Sequence, residues 1–183
     1  RARGAFLDDG WVIGRYGAPE KVGRASRIAL PGAHNLENVL AAALVGRLLG
    51  VPPASMGRTI LAFRGLEHRL EDVLRVGGVR FVNDSKATTV DATLKALASF
   101  DHPIVLILGG RGKGGAFSPL RPAVKKRVRS VVLVGEAADK IQTALGGVVP
   151  VARAADYREV VRTAFSMAVR GDVVLLAPAC TSW

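Results

Sequence analysis

The chain has 183 residues, of which 49% are hydrophobic and 5% aromatic, and its formal net charge is +11 at pH 7. This length and composition predict a globular protein with one domain, or one domain and part of another. The sequence has no apolar run of roughly 20 residues, so we expect no membrane insertion. Its aromatic residues are too few to stack many bases of single-stranded nucleic acid. The single cysteine, Cys180, excludes an internal disulfide and fits a reducing cytoplasm.

The first third of the chain predicts the end of a β-rich meander followed by two helices. Short apolar runs at residues 11–14 and 27–30 are typical of strands. Apolar residues at helical spacing then predict helices at residues 36–49 and 53–63, with Asn35 as the candidate N-cap of the first. The first residue is arginine rather than methionine, which suggests a fragment, a processed chain or a recombinant piece.

The pattern changes near residue 65, beyond which strands and helices alternate. Glycines at residues 77–78 predict a hairpin, and the run at residues 104–108 is apolar on both faces, as expected for an interior parallel strand. Repeated βα units predict an α/β fold with a Rossmann-like parallel sheet and helices on both faces. The other predicted strands are residues 69–76, 79–83, 131–134, 149–151 and 173–176, and the helices are residues 90–100, 119–128, 136–145 and 157–169.

Three predicted strands are followed by loops that carry polar side chains. We define them as the first loop (residues 83–89), the second loop (residues 109–117) and the third loop (residues 177–183). The carboxyl ends of parallel strands meet at one edge of a sheet, and open α/β sheets bind their ligands there. The sequence therefore predicts a binding site formed by these three loops.

The first loop combines acceptors, a cation and hydroxyl groups. Asp84 offers carboxylate oxygens, Lys86 a positive charge, and Thr88 and Thr89 hydroxyls. The same residues would also suit a plain strand end, in which Asp84 or Ser85 caps the next helix and the lysine is solvated. The local pattern leaves both interpretations open.

The second loop is rich in glycine, which lets backbone N–H groups approach an anion closely. Lys113 adds a positive charge, and Arg111 could bind a carboxylate or phosphate through two hydrogen bonds. Residues 110–115 also satisfy the Gly-x-Gly-x-x-Gly fingerprint, with Glu136 near the position of a ribose-binding acid. A nicotinamide-dinucleotide-binding Rossmann domain is therefore one alternative function.

A basic nucleic-acid-binding module is the other alternative. Lysines and arginines cluster at residues 121–129, and a net charge of this size attracts polyanions. A solvated helix face is the simpler interpretation of this cluster. Among the other reactive residues, we expect His34 and His68 to order loops, and Cys180 to be a small buried hydrophobe rather than a nucleophile.

Five motifs, in their order and spacing, resemble those of the Mur ligase family. They are Gly-Ala-His-Asn-Leu-Glu-Asn at residues 32–38, Gly-Leu-Glu-His-Arg at 65–69, Asn-Asp-Ser-Lys-Ala-Thr at 83–88, Gly-Gly-Arg-Gly-Lys at 109–113 and Pro-Ala-Cys-Thr-Ser at 178–182. The third motif is the most specific, and it resembles the branch of the family that adds D-glutamate to UDP-N-acetylmuramoyl-L-alanine. The resemblance implies an ATP-dependent, amide-forming ligase of peptidoglycan precursor synthesis that works through an acyl phosphate.

The resemblance also implies roles for residues at matching positions. The residues implied to bind D-glutamate are Thr88, Lys113 and Ser182. Those implied to bind ATP are Asn35 and Asn38 at the adenine, Arg69 at a phosphate and Asp84 at the ribose. Lys86 has only a supporting role. The resemblance identifies no catalytic or metal-binding residue in this sequence.

The family's architecture implies that residues 1–64 are the end of a central ATP-binding domain and residues 65–183 most of a C-terminal amino-acid-binding domain. The family's phosphate-binding loop, Mg²⁺ ligands and UDP-substrate domain have no counterpart in the sequence, and neither has the aromatic-containing segment that closes on D-glutamate. We therefore expect the 183 residues to be inactive alone. The whole protein is expected to be a cytoplasmic monomer that binds small molecules, and neither nucleic acid nor membrane.

Overall fold

The computed structural model describes residues 4–15, 17–112 and 114–181. The chain divides into two compact units, Arg1–Gly65 and Leu66–Trp183. No helix among the described residues is long and apolar enough to cross a bilayer.

The first unit is an antiparallel meander with two helices. Its strands are β1 (Gly4–Asp8), β2 (Trp11–Arg15) and β3 (Pro19–Arg24), and its helices are α1 (Ala33–Leu48) and α2 (Pro53–Ala62). Valines of β2 and β3 pack with residues of both helices to form the core of this unit. The meander was expected, but its third strand is β3 rather than residues 27–30. The polar side chains Glu20 and Lys21 obscure the strand pattern of β3, whereas Ile28 and Leu30 pack against the core from an irregular segment.

Asn35 does not cap α1, contrary to the sequence prediction. The helix begins at Ala33, and Gly32 occupies the cap position with φ of +91°, a conformation that favours glycine. Asn35 therefore lies inside the first turn, where its Nδ2 donates to the backbone oxygen of Pro31 at 2.7 Å. His34 lies in the same turn rather than in a loop.

The second unit contains a mixed sheet, with six strands among the described residues, in the order β4-β5-β9-β6-β7-β8. Strand β4 pairs antiparallel with β5 as the predicted hairpin, and all other neighbours pair parallel. The α/β class is confirmed, with the correction that one edge strand is antiparallel. The strands are β4 (Glu71–Val76), β5 (Val79–Asn83), β6 (Ile104–Gly109), β7 (Val128–Val134), β8 (Val151–Arg153) and β9 (Val173–Leu176).

Helices cover both faces of this sheet, as the sequence predicts. They are α3 (Val90–Ala98), α4 (Arg121–Arg127), α5 (Ala138–Leu145) and α6 (Tyr157–Met167). Strand β6 is buried along its whole length because its alternate side chains enter different cores. Leu106 and Leu108 pack with α3, α4 and α5, whereas Val105 and Ile107 pack with Val160 of α6.

Two expectations about helix ends in this unit are wrong, although α3 begins at Val90 as predicted. Thr89, rather than Asp84 or Ser85, caps α3, because its Oγ1 accepts from the backbone N–H of Ala92 at 3.2 Å. The helix expected at residues 119–128 is shorter, since a 3₁₀ turn at Ser118–Leu120 precedes α4 and the chain is already extended at Val128.

The basic cluster at residues 121–129 makes several bonds within the protein. Arg129 donates to both carboxylate oxygens of the buried Asp172, from Nε at 2.7 Å and from Nη2 at 3.2 Å. These hydrogen bonds and the charge of Asp172 raise the pKa of Arg129 above its ordinary value. Arg121 and Arg127 donate to the backbone oxygens of Ala144 and Phe100. The cluster therefore joins elements of the fold at the amino edge of the sheet, which weakens the case for a nucleic-acid-binding module.

The conformation of Gly109 is required by the fold. Its φ is +129°, and an added Cβ would overlap the backbone oxygen of Val134 on the neighbouring strand. We expect Gly109→Ala to lower the free energy of unfolding by about 2–5 kcal/mol, measured by urea denaturation, because it adds both backbone strain and a steric clash. Gly115→Ala is the matched control, since an added Cβ there meets no described atom within 4 Å. Equal stability of the two variants would contradict the described geometry.

Candidate functional site

The three loops lie side by side at the carboxyl edge of the sheet. Strand β9 runs between β5 and β6, so the third loop lies between the first and second loops. The N–H of Ala179 donates to the oxygen of Ala87 in the first loop at 2.9 Å. On the other side, the N–H of Gly109 donates to the oxygen of Pro178 at 3.1 Å. The third loop is therefore hydrogen-bonded to both of its neighbours.

Arg111 and Thr181 join the second and third loops most closely. Their backbone N–H and C=O groups exchange two hydrogen bonds of 3.1 Å, as in a short antiparallel bridge. The Thr181 hydroxyl also donates to the Arg111 oxygen at 2.9 Å. The Arg111 guanidinium lies 3.5 Å from a carboxylate oxygen of Glu136, and both side chains are exposed. This pair is accessible to solvent, so an incoming anion can compete for Arg111.

In the first loop, the structure places each predicted residue in a different environment. Asp84 is 9% exposed, and its N–H donates to the oxygen of Leu176 on β9 at 2.8 Å. Thr88 is half-buried, and no hydrogen bond of its hydroxyl is found within the described residues. Lys86 is exposed. The loop thus presents a cation and an uncommitted hydroxyl beside the third loop.

Arg69 lies on a turn that holds unusual backbone conformations. The flanking residues His68 and Leu70 have φ of +66° and +45°, in a region that L-residues other than glycine rarely adopt. The Leu70 side chain is buried in the core, whereas Arg69 is exposed. In the third loop, Ala179 also has a positive φ, of +54°. Strained residues of this kind are held in place by surrounding structure and cluster at functional sites.

The other predicted contact residues lie in the first unit or outside the described residues. Asn35 and Asn38 lie one turn apart on α1, and Nδ2 of Asn38 is 3.4 Å from Oδ1 of Asn35. Asn38 is exposed and Asn35 half-buried. Lys113 and Ser182 lie outside the described residues. Among the described residues, no three His, Cys, Asp or Glu side chains lie together as a metal site.

The glycines of the second loop do not form a dinucleotide-binding turn. An added Cβ at Gly110 would lie 2.6 Å from the backbone oxygen of Thr181, so the close approach that Gly110 allows is to the third loop. The α-helix after this loop begins only at Arg121, too far on to place its N-terminus at a pyrophosphate. Glu136 is paired with Arg111. Packing of the loops therefore accounts for the first glycine of the fingerprint, Gly110, and the late start of the helix speaks against a dinucleotide-binding turn.

The sequence patterns assign no role to Thr93, whose side chain on α3 supports the third loop. Thr93 is fully buried on α3, and its Oγ1 donates to the oxygen of Ala177 at 3.3 Å. The only sequence signal is a polar residue at an apolar position of the helix. Cys180 is also fully buried, as predicted.

Thr93→Val tests this support. The substitution keeps the shape but leaves the Ala177 oxygen without that donor, so we expect the free energy of unfolding to fall by about 1–3 kcal/mol. The backbone N–H of Ala179 should also exchange with solvent faster in a hydrogen-exchange NMR experiment. Ser99→Ala is the control, because Ser99 is only half-buried and its hydroxyl bonds within the end of its own helix, to the oxygen of Lys95. Identical exchange at Ala179 in both variants would contradict the proposed support.

The comparisons with known proteins agree with the resemblance seen in the motifs. The family described as Mur ligase, glutamate ligase domain matches residues 68–180. The UDP-N-acetylmuramoylalanine–D-glutamate ligase of Acidobacterium capsulatum is 47% identical over 184 residues, which cover 99% of this chain and 40% of the relative. The enzyme of the same name from Geotalea daltonii is 40% identical and covers 100% of this chain and 40% of the relative. The chain thus spans about 40% of the length of these relatives.

Solved structures show the same fold at low sequence identity. A UDP-N-acetylmuramate–alanine ligase from Thermotoga maritima has a TM-score of 0.69 at 20% identity and covers 91% of this chain and 37% of that chain. A folylpolyglutamate synthase from Mycobacterium tuberculosis, solved with ADP and AMPPCP, has a TM-score of 0.68 at 19% identity and covers 97% of this chain and 45% of that chain. The match over residues 68–180 includes most of the second unit, the whole of the first and second loops and part of the third. The chain therefore belongs to the Mur ligase family, through its glutamate ligase domain.

Proposed function

We propose that this chain is part of an ATP-dependent ligase that joins D-glutamate to UDP-N-acetylmuramoyl-L-alanine. The observation that carries the proposal is the hydrogen-bonded assembly of the three loops at the carboxyl edge of the sheet, which brings together the described parts of three family motifs, at residues 83–88, 109–112 and 178–181. The two relatives compared above carry the name of this activity over nearly the whole of this chain. The activity belongs to the whole protein.

In the proposed reaction, ATP phosphorylates the carboxylate of UDP-N-acetylmuramoyl-L-alanine and is released as ADP. The amine of D-glutamate attacks the acyl phosphate, and the tetrahedral intermediate expels phosphate as it collapses to the amide. The chain's own contribution is to bind D-glutamate so that its amine faces the acyl phosphate. Orientation of this kind lowers the barrier by making the attack effectively unimolecular.

The D-glutamate carboxylates require cations and hydrogen-bond donors. We propose that Lys113, Thr88 and Ser182 supply them, one from each loop. The half-buried hydroxyl of Thr88 supports this assignment, since it is uncommitted among the described residues and lies beside the third loop. A charge-assisted hydrogen bond to a carboxylate contributes about 1.5–3 kcal/mol. Arg111 is the second cation of the second loop and can add to the positive potential at this edge.

For the nucleotide, we propose that Asn35 and Asn38 contact the adenine, Arg69 a phosphate and Asp84 the ribose. Amide groups match the donor and acceptor pattern of adenine, a guanidinium suits a phosphate, and a carboxylate accepts from ribose hydroxyls. The unusual backbone on both sides of Arg69 supports a functional role for its turn. The described residues include no cluster of metal ligands. We propose that residues in other parts of the whole protein would hold the Mg²⁺ that accompanies ATP, and that the ion would offset the negative charge of the phosphates.

We further propose that residues 1–64 complete an ATP-binding domain and residues 65–183 form the amino-acid-binding domain. The sequence contains no Gly-x-x-x-x-Gly-Lys-Ser/Thr phosphate-binding loop. The isolated 183 residues should therefore form no amide. Measurable product from these residues alone would contradict this assignment of the two domains. The whole protein is proposed to act as a cytoplasmic monomer on small-molecule substrates.

A chimaera tests the assignment of the amino-acid site. This chain would replace the matching 184 residues of the Acidobacterium capsulatum relative, and ADP release would be measured with UDP-N-acetylmuramoyl-L-alanine, ATP and D-glutamate. Lys113→Ala should raise the KM for D-glutamate roughly 10- to 150-fold, because it removes a charge-assisted hydrogen bond. The KM for ATP should change little.

Lys125→Ala is the matched control, since Lys125 is an exposed lysine on α4. It should leave both KM values unchanged. Release of ADP that depends on D-glutamate, together with an unaffected Lys113→Ala variant, would move the carboxylate site elsewhere. Release that does not depend on D-glutamate would contradict the proposed function.

A further inference from the structure

Three side chains form a closed hydrogen-bonded network between the turn of Arg69 and the first loop. Glu71 accepts through Oε2 from the backbone N–H of His68 at 2.9 Å. The same oxygen accepts from Nδ2 of Asn83 at 3.3 Å. Nδ2 of Asn83 also lies 2.9 Å from Nδ1 of His68. All of these atoms are partly buried.

The surroundings fix the orientation of the Asn83 amide. Its Oδ1 accepts from the backbone N–H of Ser85 at 3.0 Å, while its two N–H bonds point to Glu71 and His68. The opposite orientation would place the amide oxygen against the Glu71 carboxylate and the NH₂ group against a backbone donor. Nδ1 of His68 is therefore the acceptor of this bond, and the N–H of the ring lies on Nε2.

This network adds side-chain bonds between two segments that the pairing of β4 with β5 already brings together, since Glu71 and Asn83 are partners across these strands. One is the strained turn that carries Arg69, and the other is the first loop with Asp84 and Lys86. A backbone bond from the N–H of Lys86 to the oxygen of His68, of 3.3 Å, runs beside the network. The side chains thus add to the backbone bonds that hold the turn beside the first loop.

We propose that Glu71 and Asn83 are positioning residues that fix the position of Arg69 relative to Asp84 for nucleotide binding. The inference rests on the proposed function, in which Arg69 contacts a phosphate and Asp84 the ribose. A long, exposed arginine on an isolated turn would have to be ordered when the nucleotide binds, at the expense of affinity. The network orders the turn in advance.

The chemistry of the network identifies informative substitutions. Asn83→Asp keeps the shape of the side chain but removes both donated hydrogen bonds and places a carboxylate against that of Glu71. Glu71→Ala removes the shared acceptor. Glu71→Gln retains an oxygen that can accept from His68 and Asn83, so it is the conservative control.

The experiment measures the KM for ATP, the KM for D-glutamate and the Tm of these variants in the chimaera described above. Asn83→Asp and Glu71→Ala should each raise the KM for ATP by at least roughly 10-fold, as expected when a supporting residue misplaces a contact group. The KM for D-glutamate should stay within about 2-fold, and Glu71→Gln should restore the KM for ATP to near its original value. A residue with a purely structural role would lower the Tm without this selective change in the KM for ATP.

Arg69→Ala separates failure of the inference from failure of the proposed function. If Arg69→Ala raises the KM for ATP and the two network variants do not, the positioning role is wrong and the nucleotide assignment stands. If Arg69→Ala has no effect, the assignment of Arg69 fails and the inference with it. The ¹⁵N NMR spectrum of His68 in the unmodified 183-residue chain gives a test that does not depend on whether a variant folds. An unprotonated Nδ1 at neutral pH supports the network, and a protonated Nδ1 overturns it.

Discussion

The position of β9 between β5 and β6 is the constraint on which the candidate site depends. It requires the last strand of the described chain to insert between two strands that come earlier in the sequence. The loop after β9 then receives neighbours on both sides, with hydrogen bonds from Ala179 to the first loop and from Gly109 to the third. Three distant segments thereby become one surface, and backbone bonds fix their spacing before any ligand binds.

This arrangement explains why the second loop begins with two glycines. Gly109 and Gly110 adopt positive φ and leave no room for a Cβ against Val134 and Thr181. They allow the backbone to turn out of the sheet and pair with the third loop through Arg111. Arg111 is then presented from a backbone held by hydrogen bonds, which reduces the ordering needed when an anionic substrate binds.

The basic side chains that give the net charge of +11 are of two kinds, those bonded within the fold and those exposed to solvent. At the amino edge of the sheet, Arg129 is paired with the buried Asp172, and Arg121 and Arg127 bond to backbone oxygens. At the carboxyl edge, Lys86 and Arg69 are exposed. A positive potential at this edge suits substrates that carry carboxylates and phosphates, and it would speed their encounter with the protein.

Much of the fold could be predicted from local sequence patterns, because the spacing of apolar residues reflects which side chains are buried. The apolar run of β6 and the paired glycines between β4 and β5 predict an interior strand and a hairpin, and both are found. The network of Glu71, His68 and Asn83 and the bond from Thr93 to Ala177 could not be predicted. The bond of Thr93 joins residues 84 positions apart, so it depends on strand order, which local periodicity does not encode. The network lies across the predicted hairpin, where the local pattern indicates the strand pairing but not which side chains bond. The failure of Asn35 as a cap has a local cause, since Gly32 starts the helix earlier.

Titration of the ¹⁵N-labelled 183-residue chain with D-glutamate, followed by NMR, tests the central claim that the three loops form one amino-acid site. Chemical-shift mapping detects weak binding, which is what we expect from this chain without the rest of the protein. The account predicts that the changes concentrate at backbone amides of residues 86–89, 111–115 and 180–182, and leave residues 101–103 and 125–129 at the opposite edge unaffected. Changes confined to the opposite edge, or none in the three loops at the highest D-glutamate concentration reached, would contradict it.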